Sequence, residues 1–325
     1  LPKQLAENAN YDVSVIMPLY AQIDASVRAR MNFVGNFNVG LAWRNQYCGL
    51  FTLREGKVTY LFIDNEYYFK RDNLYGYFDD GERFAFFSKA VLDSLGYLGY
   101  YPDVLHCNDW QTAATVIYLH SLYAGKFGFD RVKTVFTIHN IEYQGKYGME
   151  TASDLFGFPE SIGWAIEFDG CLNLMKGAIE LTDYLTTVSP TYANEIKNPY
   201  FSHGLDGIIN RNAGKLKGID EELNDPATDG SLFKNYSEKD MSGKAVCKEE
   251  LQKMLGLPVR ADVPVIAMIS RLVAHKGLDL VKRVLDELLC EDVQVVVLGK
   301  GDVDYENFFK YMETRYKGKC RALIA

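Results

Sequence analysis

Polar side chains suited to sugar or phosphate chemistry follow several apolar segments of this 325-residue sequence. The apolar run TVFTI at residues 134–138 ends abruptly at His139 and Asn140, and the sequence IEYQG follows. An imidazole beside an amide supplies both donors and acceptors for hydroxyl groups. A single histidine at the end of a strand is often structural, so the sequence leaves a structural and a functional interpretation of His139 open.

A second polar cluster is the sequence HCNDWQ at residues 106–111, which lies between a short apolar segment and a helical pattern. Asp109 could cap the following helix, as aspartate often does. Alternatively, its carboxylate could accept hydrogen bonds from sugar hydroxyls while the indole of Trp110 covers one face of a pyranose ring. Both interpretations remain open on these residues alone.

Two cations, Arg271 and Lys276, lie five residues apart in the sequence ISRLVAHKG, where a strand pattern passes into a helix pattern. A guanidinium, an ammonium and the N–H groups of a helix N-terminus can together hold a phosphate or diphosphate. Ordinary solvated surface cations are the alternative. Further along, the sequence LGKGD places Gly299 and Gly301 at the end of the next strand, where backbone can approach a ligand closely.

Composition and the absence of several known motifs exclude some classes of function. The sequence contains no Walker loop, HExxH, GxSxG or zinc-ligand spacing, so we expect no metal site and no cofactor. The net charge of −8 and the lack of a basic cluster argue against nucleic acid, and no apolar run reaches membrane-spanning length. The six scattered cysteines indicate a reduced, cytoplasmic protein.

The hydrophobic pattern of the first two thirds predicts an α/β domain. A β-meander at 33–63 and a helix around 84–95 precede strands at 103–107, 132–138 and 184–188. Helices are predicted at 112–123, at 171–181 and from Pro190 onward. This alternation is typical of a parallel sheet covered on both faces, in which ligands bind beyond the carboxyl ends of the strands.

A second domain follows a segment rich in Gly, Asp, Asn and Ser between Gly214 and Gly243. Strands are predicted at 264–269, 293–298 and 322–324, with helices at 278–289 and 305–316. We therefore predict an N-terminal domain over 1–218, lacking its first strand and glycine-rich loop. The connector and the first half of a second domain are predicted over 219–325.

Several long motifs resemble those of the bacterial glycogen synthases and plant starch synthases, and the resemblance covers essentially the whole chain. The motifs are DVSVIMPLY (12–20), FIDNEYYFKRDNLYG (62–76), HCNDWQTA (106–113), TVFTIHNIEYQG (134–145), MKGAIELTDYLTTVSPTYANEI (175–196), GLDGII (204–209), SRLVAHKGLDL (270–280) and LGKGD (298–302).

The resemblance implies two Rossmann-like domains of the GT-B glycosyltransferase type. It also implies transfer of glucose from ADP-glucose to the non-reducing end of an α-1,4-glucan, with retention of configuration. By motif, Arg271 and Lys276 match the pair that holds the diphosphate. His139 matches the residue facing the transferred glucose, and Asp109 lies in the motif lining the acceptor side. We further expect four residues to contact substrate, namely Asn140, Trp110, Gly299 and Gly301.

The chain departs from the family at several points. The family's N-terminal lysine- and glycine-rich segment and the glutamate motif of its second domain are not in this sequence, so we expect the 325-residue chain alone to be inactive. Lys217 stands where the family usually has Asn, and His275 stands where Gln is usual.

Two alternatives to a glycogen synthase remain open. One is a related glycosyltransferase that uses UDP-glucose or another acceptor, and the other is a non-catalytic glycan-binding remnant. Glycan binding without ADP binding would favour the remnant, whereas ADP binding that depends on Arg271 would favour an enzyme.

Overall fold

A computed structural model describes residues 1–219 and 225–325. The chain divides into two compact units, Leu1–Glu221 and Glu222–Ala325, and a parallel sheet occurs in each. The predicted α/β class is therefore confirmed. Among the helices of these two described ranges, none has both the length and the apolar character needed to cross a membrane.

The first unit contains most of the regular structure. Its strands are β1 (Val13–Pro18), β2 (Asn32–Leu41), β3 (Arg44–Glu55), β4 (Val58–Asp64), β5 (Val104–Asn108), β6 (Lys133–Ile138), β7 (Lys146–Gly148), β8 (Glu167–Phe168), β9 (Cys171–Asn173), β10 (Tyr184–Thr187) and β11 (Leu216–Gly218). Its helices are α1 (Pro2–Leu5), α2 (Ala25–Arg28), α3 (Glu66–Phe69), α4 (Asp80–Leu98), α5 (Asp109–Ser121), α6 (Thr151–Asp154), α7 (Gly163–Ile166), α8 (Leu174–Leu181), α9 (Pro190–Glu195) and α10 (Asp206–Arg211). Single 3-10 turns lie at Glu160–Ile162 and Ala213–Lys215.

The sheet that carries the predicted site has the strand order β11-β10-β6-β5, with every neighbouring pair parallel. Its central strand β6 is apolar because both faces are covered, and Phe136 and Ile138 are fully buried. Helix α5 packs between α4 and α8, and its small and branched residues, such as Ala113 and Ile117, are also fully buried. These contacts fix the carboxyl ends of β5 and β6 side by side.

A second sheet of the first unit has the order β1-β4-β3-β2 and contains the predicted meander. Strands β1 and β4 are parallel, whereas β3 is antiparallel to both β4 and β2. The last β3–β4 pair is Gly49 with Asp64, so the start of β3 continues beyond the carboxyl end of β4. The β2–β3 hairpin therefore projects past the carboxyl edge of the parallel strands.

The prediction of a helix over residues 171–181 is wrong at its start. Residues 171–173 form β9, the middle strand of a small antiparallel sheet with β7 and β8. The helix begins only at Leu174, because the side chain of Asn173 accepts a hydrogen bond from the backbone of Lys176 (3.0 Å) and caps it.

The second unit has a three-stranded parallel sheet with the order β12-β13-β14, formed by β12 (Val265–Ile269), β13 (Gln294–Leu298) and β14 (Cys320–Leu323). Its helices are α11 (Ser242–Met254), α12 (Leu278–Cys290) and α13 (Val303–Arg315), and a 3-10 turn lies at Ala274–Lys276. Helix α11 was not predicted. The apolar face of α12 packs on the sheet through Leu278, Leu285 and Leu289.

Candidate functional site

The carboxyl ends of β5 and β6 bring two of the predicted site residues into direct contact. The side-chain Oδ1 of Asp109 accepts a hydrogen bond from the backbone nitrogen of His139 at 2.8 Å. A longer hydrogen bond of 3.4 Å joins the same oxygen to the backbone nitrogen of Asn140. Asp109 thus holds the segment that leaves β6, although 30 residues separate it from His139.

The alternative in which Asp109 caps helix α5 does not hold. Asn108 occupies the N-cap position, without a capping side-chain bond, and Asp109 is the first helical residue. Its backbone has a φ of +55°, a left-handed conformation that is uncommon for residues other than glycine. Such strain persists only where surrounding contacts require it, and the two hydrogen bonds to the next strand are contacts of that kind.

The side chain of His139 is also anchored on β5. Its Nε2 lies 3.0 Å from Oδ1 of Asn108, and the ring is exposed at the edge of the sheet. An amide oxygen only accepts, so Nε2 is the donor in this hydrogen bond. The side chain of Asn140 instead accepts a hydrogen bond from the backbone of Glu142 at 2.9 Å, which shapes the turn after β6.

A chain of hydrogen bonds that the sequence interpretation missed crosses the sheet beneath this edge. His106 Nε2 lies 2.6 Å from the Thr137 hydroxyl, which lies 2.6 Å from the Thr186 hydroxyl. His106 keeps an exposed edge, but desolvation by the surrounding protein lowers its pKa, and the nearby His139 lowers it further. Hydroxyl side chains in otherwise apolar strands were the sequence feature that could have indicated this series of hydrogen bonds.

The segment after Asn140 is fixed by buried polar contacts. The hydroxyl of Tyr192 accepts a hydrogen bond from the backbone of Ile141 at 3.1 Å. Gln144 is buried, donates to the carbonyls of Ile141 and His203 (both 3.1 Å), and accepts from Asn173 at 2.7 Å. The turn that follows His139 is therefore a rigid part of the site edge.

Trp110 takes part in an aromatic cluster at the start of α5. Its ring lies edge-on to Phe84 at 5.3 Å and tilted against Tyr147 at 6.3 Å. Gly145, with a φ of +64°, passes so close that a Cβ there would lie 2.8 Å from the indole. The half-buried ring contributes to packing, and its contact with a sugar remains a prediction.

In the second unit, Arg271 and Lys276 are both exposed on the connection from β12 to α12. The 3-10 turn at Ala274–Lys276 leads into Gly277, whose φ of +71° is left-handed. The N-cap residue of α12 is Gly277, which has no side chain to cap the helix. The connection therefore presents two cations together with the positive end of a helix.

Gly299 and Gly301 serve packing within this unit. A Cβ on Gly299 would collide with the carbonyl oxygen of Ser270, and a Cβ on Gly301 would collide with that of Leu272. Leu272 also donates to Lys300 O at 3.0 Å, so the two strand-end segments run directly against each other. The approach of a ligand to these glycines stays a prediction, whereas their close approach to neighbouring backbone is observed.

A groove of about 470 Å³ lies between the first turns of α12 and α13, near both loops. It is lined by Ala274, Asp279, Lys282, Asp302, Asp304 and Tyr305. Three carboxylates against one ammonium make it a poor site for a diphosphate, and neither Arg271 nor Lys276 belongs to this lining.

The two family departures lie in different surroundings. Lys217 is exposed on β11. The side chain of His275 lies outside the described residues.

Comparisons with known proteins agree with this architecture. The sequence model of the family described as "Starch synthase catalytic domain" matches residues 1–211. The glycogen synthase of Clostridium novyi is 44% identical over 100% of this chain and 69% of its own length. The glycogen synthase of Ligilactobacillus salivarius is 45% identical over the same shares.

A solved structure is similar over almost the whole chain. It is the catalytic domain of starch synthase IV from Arabidopsis thaliana bound to ADP and acarbose, with a TM-score of 0.81 and 29% sequence identity. The match covers 99% of this chain and 68% of that one.

These findings define the class of protein: a glycosyltransferase with the GT-B fold, built from Rossmann-like domains. Within that class, the chain belongs to the glycogen and starch synthase family. It is accordingly a glucosyltransferase of glycogen or starch synthesis.

Proposed function

We propose that the complete protein transfers glucose from ADP-glucose to the 4-hydroxyl at the non-reducing end of an α-1,4-glucan, with retention of configuration. The observation that carries the proposal is the Asp109–His139 clasp, the hydrogen bond that Asp109 Oδ1 accepts from the backbone nitrogen of His139 at the carboxyl edge of β5 and β6. The clasp places an imidazole and an aspartate of the matching motifs together where α/β folds bind ligands. The ADP and acarbose bound to the Arabidopsis relative support a nucleotide and a glucan-like ligand.

In this proposal His139 contacts the transferred glucose. Cleavage of the glycosidic bond gives the sugar oxocarbenium character, so its hydroxyls and ring need rigid partners that do not reorganise. The clasp, the bond to Asn108 and the buried support through Gln144 supply that rigidity. Asn140 and Trp110 complete the sugar-binding edge.

Arg271 and Lys276 hold the diphosphate leaving group. Negative charge grows on the diphosphate as the bond breaks, and preorganised cations stabilise that charge without a metal ion. Their exposure on a loop that enters α12, whose N-cap residue is Gly277, supports this role. We assign residues 1–218 to the acceptor side and the unit from 219 onward to nucleotide-sugar binding, with Gly299 and Gly301 beside the same ligand.

A comparison of donors tests the proposed substrate. The initial rate of glucose incorporation into glycogen is measured with ADP-glucose and with UDP-glucose at matched concentrations. We expect the ratio kcat/KM to favour ADP-glucose by at least about tenfold, a difference of roughly 1.4 kcal/mol in transition-state binding. Preference for UDP-glucose would replace the donor assignment while leaving the family unchanged. Glycogen binding without ADP binding would favour a glycan-binding remnant.

A further inference from the structure

Trp43 lies at the tip of the β2–β3 hairpin with 74% of its surface exposed. Its indole is nevertheless held in place. The guanidinium of Arg44 lies over the ring at 4.3 Å, and the indole Nε1 donates to Asp154 Oδ1 at 3.2 Å. Since Arg44 covers one face of the ring, the exposed surface belongs mainly to the opposite face.

The guanidinium of Arg44, which lies over this ring, is itself held by a hydrogen bond and an ion pair. Arg44 donates to the carbonyl of Asp154 at 2.9 Å and forms an ion pair with Glu82 at 3.2 Å. Glu82 in turn accepts from the Tyr68 hydroxyl at 2.5 Å. An aromatic ring held this way loses little conformational entropy when a ligand stacks on it.

The hairpin turn adds backbone strain at the same place. Leu41 pairs with Arg44, so the loop contains only Ala42 and Trp43. Ala42 has a φ of +50°, at a turn position that normally requires glycine. Gly157 packs against it, since a Cβ there would lie 3.3 Å from the Ala42 Cα.

We propose that Trp43 is a glucan-binding platform, separate from the transfer site, that stacks on one glucosyl unit of a long α-glucan acceptor. The proposal rests on the proposed function, because it takes the acceptor to be a glucan. A pyranose offers an apolar face for the indole and a rim of hydroxyls for the Asp154 carboxylate at the ring edge.

The surroundings of Trp43 favour a sugar over a protein partner. The exposed residues close to Trp43 and to its partner Asp154 in the chain are small or polar, namely Gly40, Ala42, Asn45 and Ser153. A protein interface would need a contiguous apolar patch around the ring, which these residues do not provide. A single ring amid hydrogen-bonding groups matches the mixed character of a pyranose.

The position of the β2–β3 hairpin favours the binding of a long glucan chain. The hairpin projects past the carboxyl ends of β1 and β4, and Asp154 lies in the segment that continues from the His139 turn through β7. A long chain that engages both the transfer site and Trp43 gains affinity from the second contact, whereas a short oligosaccharide does not.

The test compares Trp43→Ala, Trp43→Phe and a control, Phe127→Ala. Phe127 is 89% exposed and lies before β6, at the opposite edge of the sheet from the carboxyl ends. Affinity for glycogen is measured by affinity electrophoresis, and kcat/KM is measured with glycogen and with maltotriose in the complete protein. We expect Trp43→Ala to weaken glycogen binding about five- to tenfold, the scale of one aromatic stacking contact. Maltotriose kinetics should stay within about twofold.

Trp43→Phe separates stacking from the hydrogen bond to Asp154, because phenylalanine keeps a ring but loses the indole nitrogen. We expect it to retain most of the glycogen affinity. If Trp43→Phe loses as much glycogen affinity as Trp43→Ala, Trp43 has only a structural role through its hydrogen bond to Asp154. Unchanged glycogen affinity in Trp43→Ala would show that Trp43 does not bind the glucan. A change in oligomeric state on sedimentation of Trp43→Ala would instead show an interface between copies. If the wild-type protein neither binds glycogen nor transfers glucose, the proposed function itself fails.

Discussion

The carboxylate of Asp109 lies 2.8 Å from the backbone nitrogen of His139 and fixes the end of strand β6 from the start of helix α5. The contact holds the backbone of His139, and we propose that Asp109 affects turnover through this placement. It also explains why a non-glycine residue adopts a φ of +55° at this point of the chain.

The first prediction concerns this clasp. Asp109→Ala removes the acceptor for both backbone N–H groups, and we expect kcat to fall by about 10²-fold, the effect of a misplacement near 1 Å. Asp109→Asn keeps an accepting oxygen and should recover most of that loss, with ADP affinity unchanged in both variants. Turnover is measured by glucose incorporation and ADP affinity by calorimetry. If kcat falls as far in Asp109→Asn as in Asp109→Ala, turnover depends on the negative charge of Asp109 rather than on the placement of His139.

The second prediction concerns the side chain of His139. His139→Ala should lose turnover while ADP affinity stays within a few-fold, because the imidazole contacts sugar rather than diphosphate. Steady-state kinetics and equilibrium ADP binding on the same preparation check this. A fall in ADP affinity as large as the fall in turnover would show that His139 contacts the nucleotide side instead.

The third prediction concerns the stability of the second unit. Gly301→Ala directs a methyl group into the carbonyl of Leu272, so the two strand-end segments must separate. We expect unfolding free energy to fall by about 1–3 kcal/mol, the usual cost of overpacking. Gly230→Ala is the matched control, since a Cβ there meets nothing within 4 Å. Equal melting temperatures for the two variants would contradict the packing role.

The fourth prediction concerns pH. Desolvation and the nearby His139 lower the pKa of His106 in the folded protein, so the unfolded chain binds more protons as pH drops below about 6.5. The contribution of His106 to stability is therefore present above that pH and is lost as pH falls toward the folded pKa. His106→Gln can still bond Thr137 but cannot titrate, so its unfolding free energy should change less between pH 7.5 and pH 5 than that of the wild type.

Urea denaturation at constant ionic strength measures this difference. An identical pH dependence in His106→Gln and the wild type would show that the His106 pKa is the same in the folded and unfolded chains.

Much of the fold followed from the sequence because its periodicity is strong. The strands at β6 and β13 and the helix α12 were predicted to within about two residues, since buried strands and one-sided helices leave clear patterns. The small sheet of β7, β8 and β9 was missed because its strands are only two or three residues long. Helix α11 was missed because few of its residues are buried.

The sequence indicated candidate site residues but not the contacts between them. Strand ends indicated His139 and Asp109, because ligands bind there in parallel sheets. The clasp depends on the left-handed backbone of Asp109 and on a partner 30 residues away, which no local pattern encodes. The roles of Gly299 and Gly301 likewise depend on backbone from the neighbouring loop that only tertiary structure brings near.

We propose that this protein elongates a glucan with His139 in contact with the sugar and with Arg271 and Lys276 in contact with the diphosphate. The most direct measurement is incorporation of radiolabelled glucose from ADP-glucose into glycogen by the complete wild-type protein and its Arg271→Ala and Lys276→Ala variants. We predict incorporation by the wild type and a fall in kcat of roughly 10² to 10³ in each variant, the scale for removing one stabiliser of transition-state charge. Unchanged turnover in both correctly folded variants would contradict the role of the two cations, and no incorporation by the wild type would contradict the proposed activity.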